Sequence, residues 1–560
     1  MEKKEISMEA RLLVAFLLMG LVLFGTQYFY KPAPPAVATP TKAGPVKQAE
    51  VVLQAQKPAP PPPAAPTAVM PGQVHADKEE TFTVETDLYR VTFSNQGAVV
   101  RSWILKDYKD KKGEPLDLVN QRALAKVPAP FSILVKNQQL ATDPNTALFK
   151  VDRSPDNLSV DFEFSDGRAA TKKSFKFSKA SYLVGVTTQV TDNGVMVPHS
   201  IEWRGGFGDE TVPNAATDQK AVYYDLTAAK LYEKDPKEAK NGPVTFSGQF
   251  SFAGLEDKYF AGVFLPVNRT SSEATVFSDA VPSASGSEEQ RIGAAVGGDG
   301  LITFSYFAGP KDTDLLRRVD PKLTMLVDWG WFEVVAKPLF LALNWTANHL
   351  VHNWGWAIIL VTIAINLLLF PLRLTSLKSS RKMQRLQPQI AAINAKYKSI
   401  GLRDPKKAEQ NAELMDLYKK EGVNPMGGCV PMIIQIPFFY AFYKVLSISI
   451  EMRGASWLWV HDLSQPETIA IRVLPILLIV TQFLTQKMTP QPGVDPSQQK
   501  MMMLMPLFLG YIFYFLSSGL VLYYLTGNLV GILMQWLMNR GGAPLPPAPV
   551  VIENRPKKKR

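Results

Sequence analysis

Three polar side chains share one face of an apolar segment that leads to an arginine. Thr362 and Asn366 lie within the apolar run Trp354–Leu369, and Arg373 follows shortly after it. Successive residues of a helix are about 100° apart, so these spacings place the three side chains within about 40° of one another. A helix face that contacts lipid has no use for such groups. We therefore expect this polar stripe to face protein or water.

Further polar residues occur in the apolar segments that follow. They are Gln435, Tyr511, Tyr514, Tyr523 and Tyr524. One interpretation is that they form hydrogen bonds between membrane helices, each worth about 0.6–2 kcal/mol. The other is that several of them line a shared water-filled groove with Thr362, Asn366 and Arg373. Spacing alone leaves both interpretations open.

The motifs of common enzymes and metal sites are missing from the sequence. It contains no GxSxG or HExxH motif, no Walker A motif and no GxGxxG context. None of the five histidines lies inside a predicted membrane span, so the ligands of an intramembrane metalloprotease are missing. No repeated half with broken spans, as in secondary transporters, is evident. We expect a protein that is not an enzyme, with no catalytic residue, no metal and no cofactor.

Apolar spans must position the polar stripe. Of the 560 residues, 46% are hydrophobic and 20% are charged, which suits membrane spans combined with a soluble portion. We predict six spans, at about 12–30, 353–369, 430–450, 470–487, 501–517 and 519–538. Several are short, which implies local thinning of the bilayer. The span 501–517 is also expected to be broken by Pro506 and Gly510.

The positions of the basic residues orient these spans. The net charge is +11, and 12 basic residues lie in 373–428 and 6 more in 540–560. Both regions flank apolar spans, so the positive-inside rule places them in the cytoplasm, together with both termini. The large soluble segment is then periplasmic. This distribution makes a nucleic acid a secondary partner at most, and we expect no DNA partner.

Residues 80–310 show the alternation of β-strands. Leu158, Val160, Phe162 and Phe164 alternate with polar residues, and Asn-Gly turns separate such stretches. This pattern predicts a large antiparallel sandwich. Sandwiches of this size often bind sugars, so a membrane-anchored protein that binds or processes glycans is the alternative function. His199 is the only histidine in this region and no carboxylate pair is convincing, which argues against catalysis there.

These patterns divide the chain into segments. We predict a transmembrane anchor that is not cleaved (1–30), a Pro/Ala-rich periplasmic linker (31–79), a periplasmic β-sandwich domain (80–320), an interfacial amphipathic helix (321–350), a five-span α-helical core (351–540) with a cytoplasmic helical hairpin (374–421), and a basic cytoplasmic tail (541–560). Trp329, Trp331 and Trp345 suit the headgroup level in the interfacial helix. Basic residues of the hairpin suit anionic lipid headgroups or acidic protein partners. The contact candidates are Arg381, Lys382 and Arg385.

Several motifs together resemble one family. They are Asn424-Pro425-Met426-Gly427-Gly428-Cys429 before Gln435-Ile436-Pro437, the loop Trp457–Leu463, Leu474-Pro475-Ile476 with Gln486-Lys487-Met488, Ser518–Tyr524, and Val327–Trp331. Over about residues 310–540 the chain resembles the YidC/Oxa/Alb family of membrane protein insertases. The anchor, linker and β domain are similar in layout to the Gram-negative form.

The resemblance implies an inner-membrane insertase with a periplasmic β-supersandwich and five core spans. In the family these spans form a hydrophilic groove that is open to the cytoplasm and lipid and closed to the periplasm. The implied partners are nascent membrane proteins, which are inserted alone or with the Sec translocon, and anionic lipids. A ribosome contact through the basic tail is a further expectation. A channel or transporter, which would conduct solute, remains a third class.

One position departs from the family pattern. The family usually carries a positive residue in the middle of the second span, where this chain has Asn366. Arg373 lies seven residues later, about 10 Å along a helix and about 20° around it. One hypothesis is that Arg373 supplies the charge of the groove from its cytoplasmic mouth. The alternative is an ordinary interfacial arginine that reaches the headgroups.

Overall fold

A computed structural model describes residues 72–136, 138–212, 215–267, 272–283, 286–397, 406–422, 430–488 and 496–540. The predicted anchor, most of the linker, the basic tail and the motif Asn424–Cys429 lie outside these residues. The side chain of Arg381 also lies outside what the structure describes.

Alternating buried and exposed residues build nineteen strands in the described part of the chain. They are β1 (Thr81–Glu85), β2 (Tyr89–Ser94), β3 (Val99–Lys109), β4 (Pro115–Asp117), β5 (Ser132–Val135), β6 (Lys150–Arg153), β7 (Ser159–Ser165), β8 (Ala169–Lys176), β9 (Leu183–Asp192), β10 (Val195–Met196), β11 (His199–Trp203), β12 (Lys220–Asp225), β13 (Lys230–Lys234), β14 (Val244–Gly248), β15 (Phe250–Glu256), β16 (Phe260–Pro266), β17 (Ser272–Pro282), β18 (Glu288–Gly298) and β19 (Ile302–Pro310).

The strands form three antiparallel sheets. One has the order β1-β2-β3-β4, and a second has the order β14-β17-β18-β11-β5. The third runs β13-β12-β15-β16-β19-β9-β8-β7-β6, with β10 paired to β9. Neighbours far apart in sequence pair in register, such as Val184 of β9 opposite Tyr306 of β19. The predicted antiparallel β-sandwich is confirmed, and its strands span residues 81–310.

Aromatic side chains fill the middle of the sandwich. Phe131 lies edge-to-face to Tyr306 at a centroid distance of 5.0 Å and to Trp203 at 6.1 Å. Trp103 contacts the same tyrosine at 5.6 Å. Aromatic pairs in such geometry contribute about 0.5–1.5 kcal/mol beyond the burial of their area. This cluster joins β3, β11 and β19 into one core.

A lysine lies inside this core. The Lys173 side chain is fully buried, and its Nζ donates to the carbonyl oxygens of Gly97 (2.7 Å), Ala98 (3.1 Å) and Phe131 (2.7 Å). Burial lowers the pKa of Lys173 to about 7. The three hydrogen bonds tie β8 to the turn before β3 and to the residue before β5. Lys173 is therefore a structural crosslink of the sandwich.

Glu202 of β11 is also buried, with 2% of its surface exposed. Its Oε2 lies 4.0 Å from the Arg204 guanidinium, and burial raises its pKa to about 7. Between pH 4.5, the ordinary pKa of a glutamate, and about pH 7, Glu202 keeps its proton in the folded protein but loses it in the unfolded chain. The stability that this carboxyl contributes is therefore present below pH 4.5 and is lost as pH rises through about 7.

Glu202→Gln should remove this part of the pH dependence. We expect the midpoint temperature of unfolding of wild type, minus that of the variant, to decrease as pH rises from 4.5 to about 7. The measurement is near-ultraviolet circular dichroism of the detergent-solubilised protein at several pH values. Glu238→Gln, which removes a 40% exposed carboxyl, is the control for loss of one charge. A pH-independent difference between wild type and Glu202→Gln would contradict the expectation.

The helices in the described part of the chain include apolar segments and the charged hairpin that the sequence predicts. They are α1 (Ala215–Asp218), α2 (Thr313–Val319), α3 (Glu333–Thr346), α4 (Trp354–Leu368), α5 (Phe370–Arg385), α6 (Gln387–Lys396), α7 (Lys406–Lys420), α8 (Val430–Ile448), α9 (Val473–Met488), α10 (Pro496–Phe513) and α11 (Ser518–Arg540). Short 3-10 turns cover Pro236–Ala239, Pro321–Leu326 and Ile450–Met452, and a π-helical turn covers Ala347–Val351.

By length and composition, one described helix can cross a membrane by itself, at Ser518–Met538. The pair Glu333–Val351 and Trp354–Leu368 passes the same test together but bends by 118°. Val473–Met488 and Met503–Phe513 are shorter apolar helices. Six complete spans therefore stay a prediction.

One local expectation is wrong. The helix α10 continues through Pro506 and Gly510, where we expected a break. A Cβ at Gly510 would clash with Cγ1 of Ile479, so the glycine permits close approach of α9.

The three tryptophans that we expect at the headgroup level differ in their exposure. Trp329 is buried against Phe340, at a centroid distance of 5.1 Å, whereas Trp331 and Trp345 are exposed. Their depth in a bilayer stays a prediction.

The charged excursion forms a small helical hairpin. Leu386 and Ile390 are buried against residues of α7, which include Leu414 and Leu417. Lys396 pairs with Glu413 at 2.9 Å across the two helices. The hairpin thus has an apolar seam of its own. Residues 398–405, which join the two helices, lie outside the described residues.

Candidate functional site

A cavity lined by both polar and apolar side chains lies between α4, α5, α8 and α11. It holds about 460 Å³ of space free of protein atoms, part of which is open to the outside. Its lining residues are Ile365, Asn366, Leu369, Leu372, Arg373, Gln435, Phe438 and Tyr523. Four residues of the groove set that the sequence predicts, Asn366, Arg373, Gln435 and Tyr523, thus share one cavity.

The start of α4 is fixed by Asn353. Its Oδ1 accepts hydrogen bonds from the amides of Gly355 (3.0 Å) and Trp356 (3.2 Å), as expected of an N-cap asparagine. Its Nδ2 donates to the Ser456 carbonyl at 2.9 Å, which ties this helix end to the outer loop, our name for residues 449–472 between α8 and α9. Gly355 leaves room for Trp457, because a Cβ there would clash with the indole ring.

The boundary between α4 and α5 sets the position of Arg373. Pro371 lacks an amide hydrogen and is tolerated in the first turn of a helix, where α5 begins. The amide of Arg373 nevertheless donates to the Leu369 carbonyl at 3.1 Å. The helical path therefore continues across the boundary, and Arg373 stays on the face of the polar stripe.

Hydrogen bonds connect the polar stripe along this face. Thr362 Oγ1 donates to the Ile358 carbonyl at 2.6 Å, and Asn366 Nδ2 donates to the Thr362 carbonyl at 2.8 Å. These bonds leave Asn366 Oδ1 free to accept from Arg373 Nη1 at 3.2 Å. The arginine side chain thus runs back along the helix and brings its charge to the position of Asn366. Thr362 is fully buried and is not among the residues that line the cavity.

The Arg373 guanidinium has no counter-ion in the described residues. No carboxylate oxygen of those residues lies within 4.0 Å of it. Tyr523 of α11 lines the same cavity as Arg373. Gly531 of the same helix makes room, since a Cβ there would lie 3.2 Å from both Nη atoms. The result is a half-buried cation beside a cavity whose lining combines the neutral polar residues Asn366, Gln435 and Tyr523 with apolar side chains.

The predicted tyrosines divide into two groups. Tyr523 stacks on Phe442 at 3.8 Å, and Tyr524 packs against Phe513 at 4.9 Å. By contrast, Tyr511 does not line the cavity and is 67% exposed on α10. Tyr514 also lies elsewhere and interacts with Arg472, whose guanidinium carbon is 4.6 Å from the tyrosine ring.

A cluster at the outer loop was missed by the sequence reasoning. Arg472 donates to the carbonyls of Tyr514 and Glu467, the latter at 3.1 Å. The Glu467 carboxylate accepts from the Trp459 indole at 2.6 Å and from the Leu474 amide at 3.0 Å. These contacts join the loop to the ends of α9 and α10. An arginine directly before an apolar span was the available signal.

The hairpin candidates lie apart from the cavity. Lys382 is exposed on α5, and Arg385 at the end of the same helix is half-buried. No metal-binding group of three or more His, Cys, Asp or Glu occurs within the described ranges. The cavity can therefore offer one cation and several neutral hydrogen-bonding groups to a bound chain.

Comparisons with known proteins cover most of the chain. Residues 81–342 match the family model of the YidC periplasmic domain, and residues 345–543 match that of the 60Kd inner membrane protein. The chain is 35% identical over 483 residues to the membrane protein insertase YidC of Ralstonia nicotianae, which covers 82% of this chain and 83% of that protein. Identity to the YidC of Geotalea daltonii is 31% over 554 residues, with 95% and 99% covered. A crystal structure of active YidC insertase with its first transmembrane domain resolved covers 84% of this chain and 95% of its own, at 19% identity and a TM-score of 0.36.

Proposed function

Since the chain belongs to the YidC family of membrane protein insertases, we propose that the cavity beside Arg373 is the hydrophilic groove through which it inserts and helps fold integral membrane proteins. The chain is an inner-membrane protein with a periplasmic domain. Its relatives are named insertases, so a non-enzymatic role is supported and the glycan-binding alternative is not favoured.

The observation that carries the proposal is a guanidinium without a carboxylate partner among the described residues, beside a partly open cavity that also contains neutral polar groups. Asn366, Gln435 and Tyr523 offer hydrogen-bonding groups around Arg373. The hydrophilic tail of a nascent protein can exchange water for these groups while it is partway across the bilayer. Because the groups are held in place by α4, α8 and α11, the tail does not meet bare hydrocarbon.

Release into lipid needs no nucleotide. Each buried methylene of the substrate helix contributes about 0.8 kcal/mol, so leaving the groove for the bilayer is downhill for an apolar segment. Short helices around the groove favour a locally thinned bilayer, which shortens the remaining path of the tail. Val473–Met488 and Met503–Phe513 are short apolar helices of this kind.

Closure on the periplasmic side is supported by the outer loop. The amides of Gly519 and Ser518 donate to the carbonyls of Leu463 (2.9 Å) and Gln465 (2.8 Å). Trp457 and Val460 pair through two backbone hydrogen bonds of 2.8 Å. Together with the Arg472 contacts, these bonds hold the loop over the outer ends of the helices. A groove closed in this way predicts no solute flux, unlike a channel.

The wider arrangement follows the family. Within the proposal the chain has six spans, both termini and the hairpin 374–421 in the cytoplasm, and the β domain in the periplasm. Substrates enter alone or with the Sec translocon. Arg381, Lys382 and Arg385 of the hairpin contact anionic lipids or protein partners, and the basic tail 541–560 approaches the ribosome.

Thiol accessibility tests whether the cavity is a groove open to the cytoplasm. Cysteines are placed at Asn366 and Gln435 in a Cys429→Ser background and treated with a charged maleimide on the cytoplasmic side of inverted vesicles. The control is Leu477→Cys, at an exposed apolar position of α9 that we place against lipid. We expect labelling at 366 and 435 to be at least fivefold faster than at 477. Equal, slow labelling at all three would rule out a water-filled groove.

Gly531 should tolerate only a small side chain. A Cβ at Gly531 lies 3.2 Å from the Arg373 guanidinium, whereas one at Gly527 has no neighbour closer than 3.9 Å. We expect Gly531→Leu to displace the guanidinium from Asn366 and to lower substrate insertion about tenfold. Gly531→Ala should have a small effect and Gly527→Ala none. Insertion measured by protease protection in vesicles checks the series, and wild-type insertion by Gly531→Leu would contradict it.

A further inference from the structure

One side of the helix α8, opposite the groove, is in contact with a turn of the chain. The turn Asp328–Gly330, just before α3, lies against Tyr440 and Lys444 of α8. Asp328 accepts from Lys444 Nζ at 2.7 Å through one carboxylate oxygen and from the Gly330 amide at 2.9 Å through the other. Phe332 lies edge-to-face to Tyr440 at 5.4 Å.

Helical geometry places the contact between the turn and α8 on the side of the helix that faces away from the groove. On α8, Gln435 lines the cavity and Phe442 stacks on Tyr523. At about 100° per residue, Phe442 is about 20° around the helix from Gln435, whereas Tyr440 is about 140° and Lys444 about 180° away. The turn therefore holds the back of the helix whose front lines the cavity.

Gly330 is the residue that permits the contact. Its φ is +70°, in the left-handed region that glycine adopts without strain. A Cβ at this position would lie 2.7 Å from the Tyr440 hydroxyl and 2.9 Å from Lys444 Cε. The ion pair between Asp328 and Lys444 contributes less to the stability of this contact, because the side chain of Asp328 is 65% exposed and exposed ion pairs contribute little. The turn fits against α8 because residue 330 is a glycine and has no side chain.

We infer that the turn Asp328–Gly330 is a positioning device for insertion, in which Gly330 seats α8 so that Gln435 and Phe442 face the groove. This inference rests on the proposed function, because it assigns the turn a role in forming that groove. A side chain at Gly330 meets the hydroxyl end of Tyr440 and Cε of Lys444, so the back of α8 no longer packs on the turn in the same way and the presentation of Gln435 changes. Gly330 acts through α8 and touches no substrate.

The test combines thiol labelling with insertion. Gly330→Ala is made with Cys reporters at Gln435 and, separately, at Asn366 of α4. Gly454→Ala is the matched control, since Gly454 has the same φ of +70° but a Cβ placed there would have no atom within 4 Å. We expect Gly330→Ala to change labelling at 435 at least threefold, to leave labelling at 366 within twofold, and to lower insertion at least threefold. Gly454→Ala should alter none of these.

A second variant separates the contact from general damage. Gly330→Ala combined with Tyr440→Ala removes the closest atom that the new methyl group meets, the Tyr440 hydroxyl oxygen, and we expect labelling at 435 to return towards wild type. Wild-type labelling in Gly330→Ala, a parallel change at 435 and 366, or no relief by Tyr440→Ala would each overturn the inference. Slow wild-type labelling at 366 and 435 would instead overturn the proposed groove itself.

Discussion

Replacing Arg373 with alanine should reduce insertion of a single-span substrate at least tenfold. The guanidinium is the charge that the structure brings to the cavity, and within the described residues it has no carboxylate partner. A hydrogen bond to a charged group contributes about 1.5–3 kcal/mol, which corresponds to about one to two factors of ten. Arg373→Lys should keep part of the activity, because a lysine retains the charge without the fork of donors.

A relocated arginine is the matched control for this prediction. Since Arg373 Nη1 lies 3.2 Å from Asn366 Oδ1, an arginine at 366 would place its charge in the same part of the cavity. Asn366→Arg in the Arg373→Ala background should therefore restore insertion to within about threefold of wild type. Cells depleted of the native insertase provide the assay, with protein amounts checked by immunoblot. Full activity of Arg373→Ala would mean that the groove works by polarity alone.

Lys173→Met should strongly destabilise the β domain and leave insertion nearly unchanged. Methionine fills a similar volume but cannot donate to the carbonyls of Gly97, Ala98 and Phe131. Each buried polar group left without a partner costs about 1–3 kcal/mol, so we expect a loss of at least about 3 kcal/mol. Urea unfolding followed by tryptophan fluorescence measures it, because Trp103 and Trp203 lie in the same core.

Lys172, the residue next to Lys173, provides the control for the predicted loss of stability. Lys172 is 56% exposed and pairs with Glu163 at 2.7 Å on the surface. Lys172→Met should change stability by no more than about 0.5 kcal/mol. If Lys173→Met were as stable as wild type, the buried hydrogen bonds would not hold the sandwich together. If it lost insertion at a temperature where the β domain is still folded, the groove would not be the only part needed.

Local patterns predicted the elements that now carry the site. Alternating residues such as Val160 and Phe162 predicted strands of the sandwich, and both are buried in β7. The helical spacing that placed Asn366 and Arg373 on one face agrees with their contact at 3.2 Å. Such predictions succeed because they depend on neighbours within about two helical turns.

Contacts distant in sequence could not be predicted in this way. Tyr523 joins the cavity and Tyr511 does not, although both are tyrosines within apolar helices. Which face of a helix meets which neighbour depends on packing between elements, as between Gly531 and Arg373 or Gly510 and Ile479. A single sequence does not contain that information in its local pattern.

Insertion into proteoliposomes that contain only this protein tests the central claim most directly. A radiolabelled single-span substrate is synthesised in their presence, and the protected fragment is measured after protease treatment. We predict protection well above that of empty liposomes for wild type, and protection near the empty-liposome level for Arg373→Ala. Wild-type protein that gives no more protection than empty liposomes would contradict a groove that inserts proteins by itself.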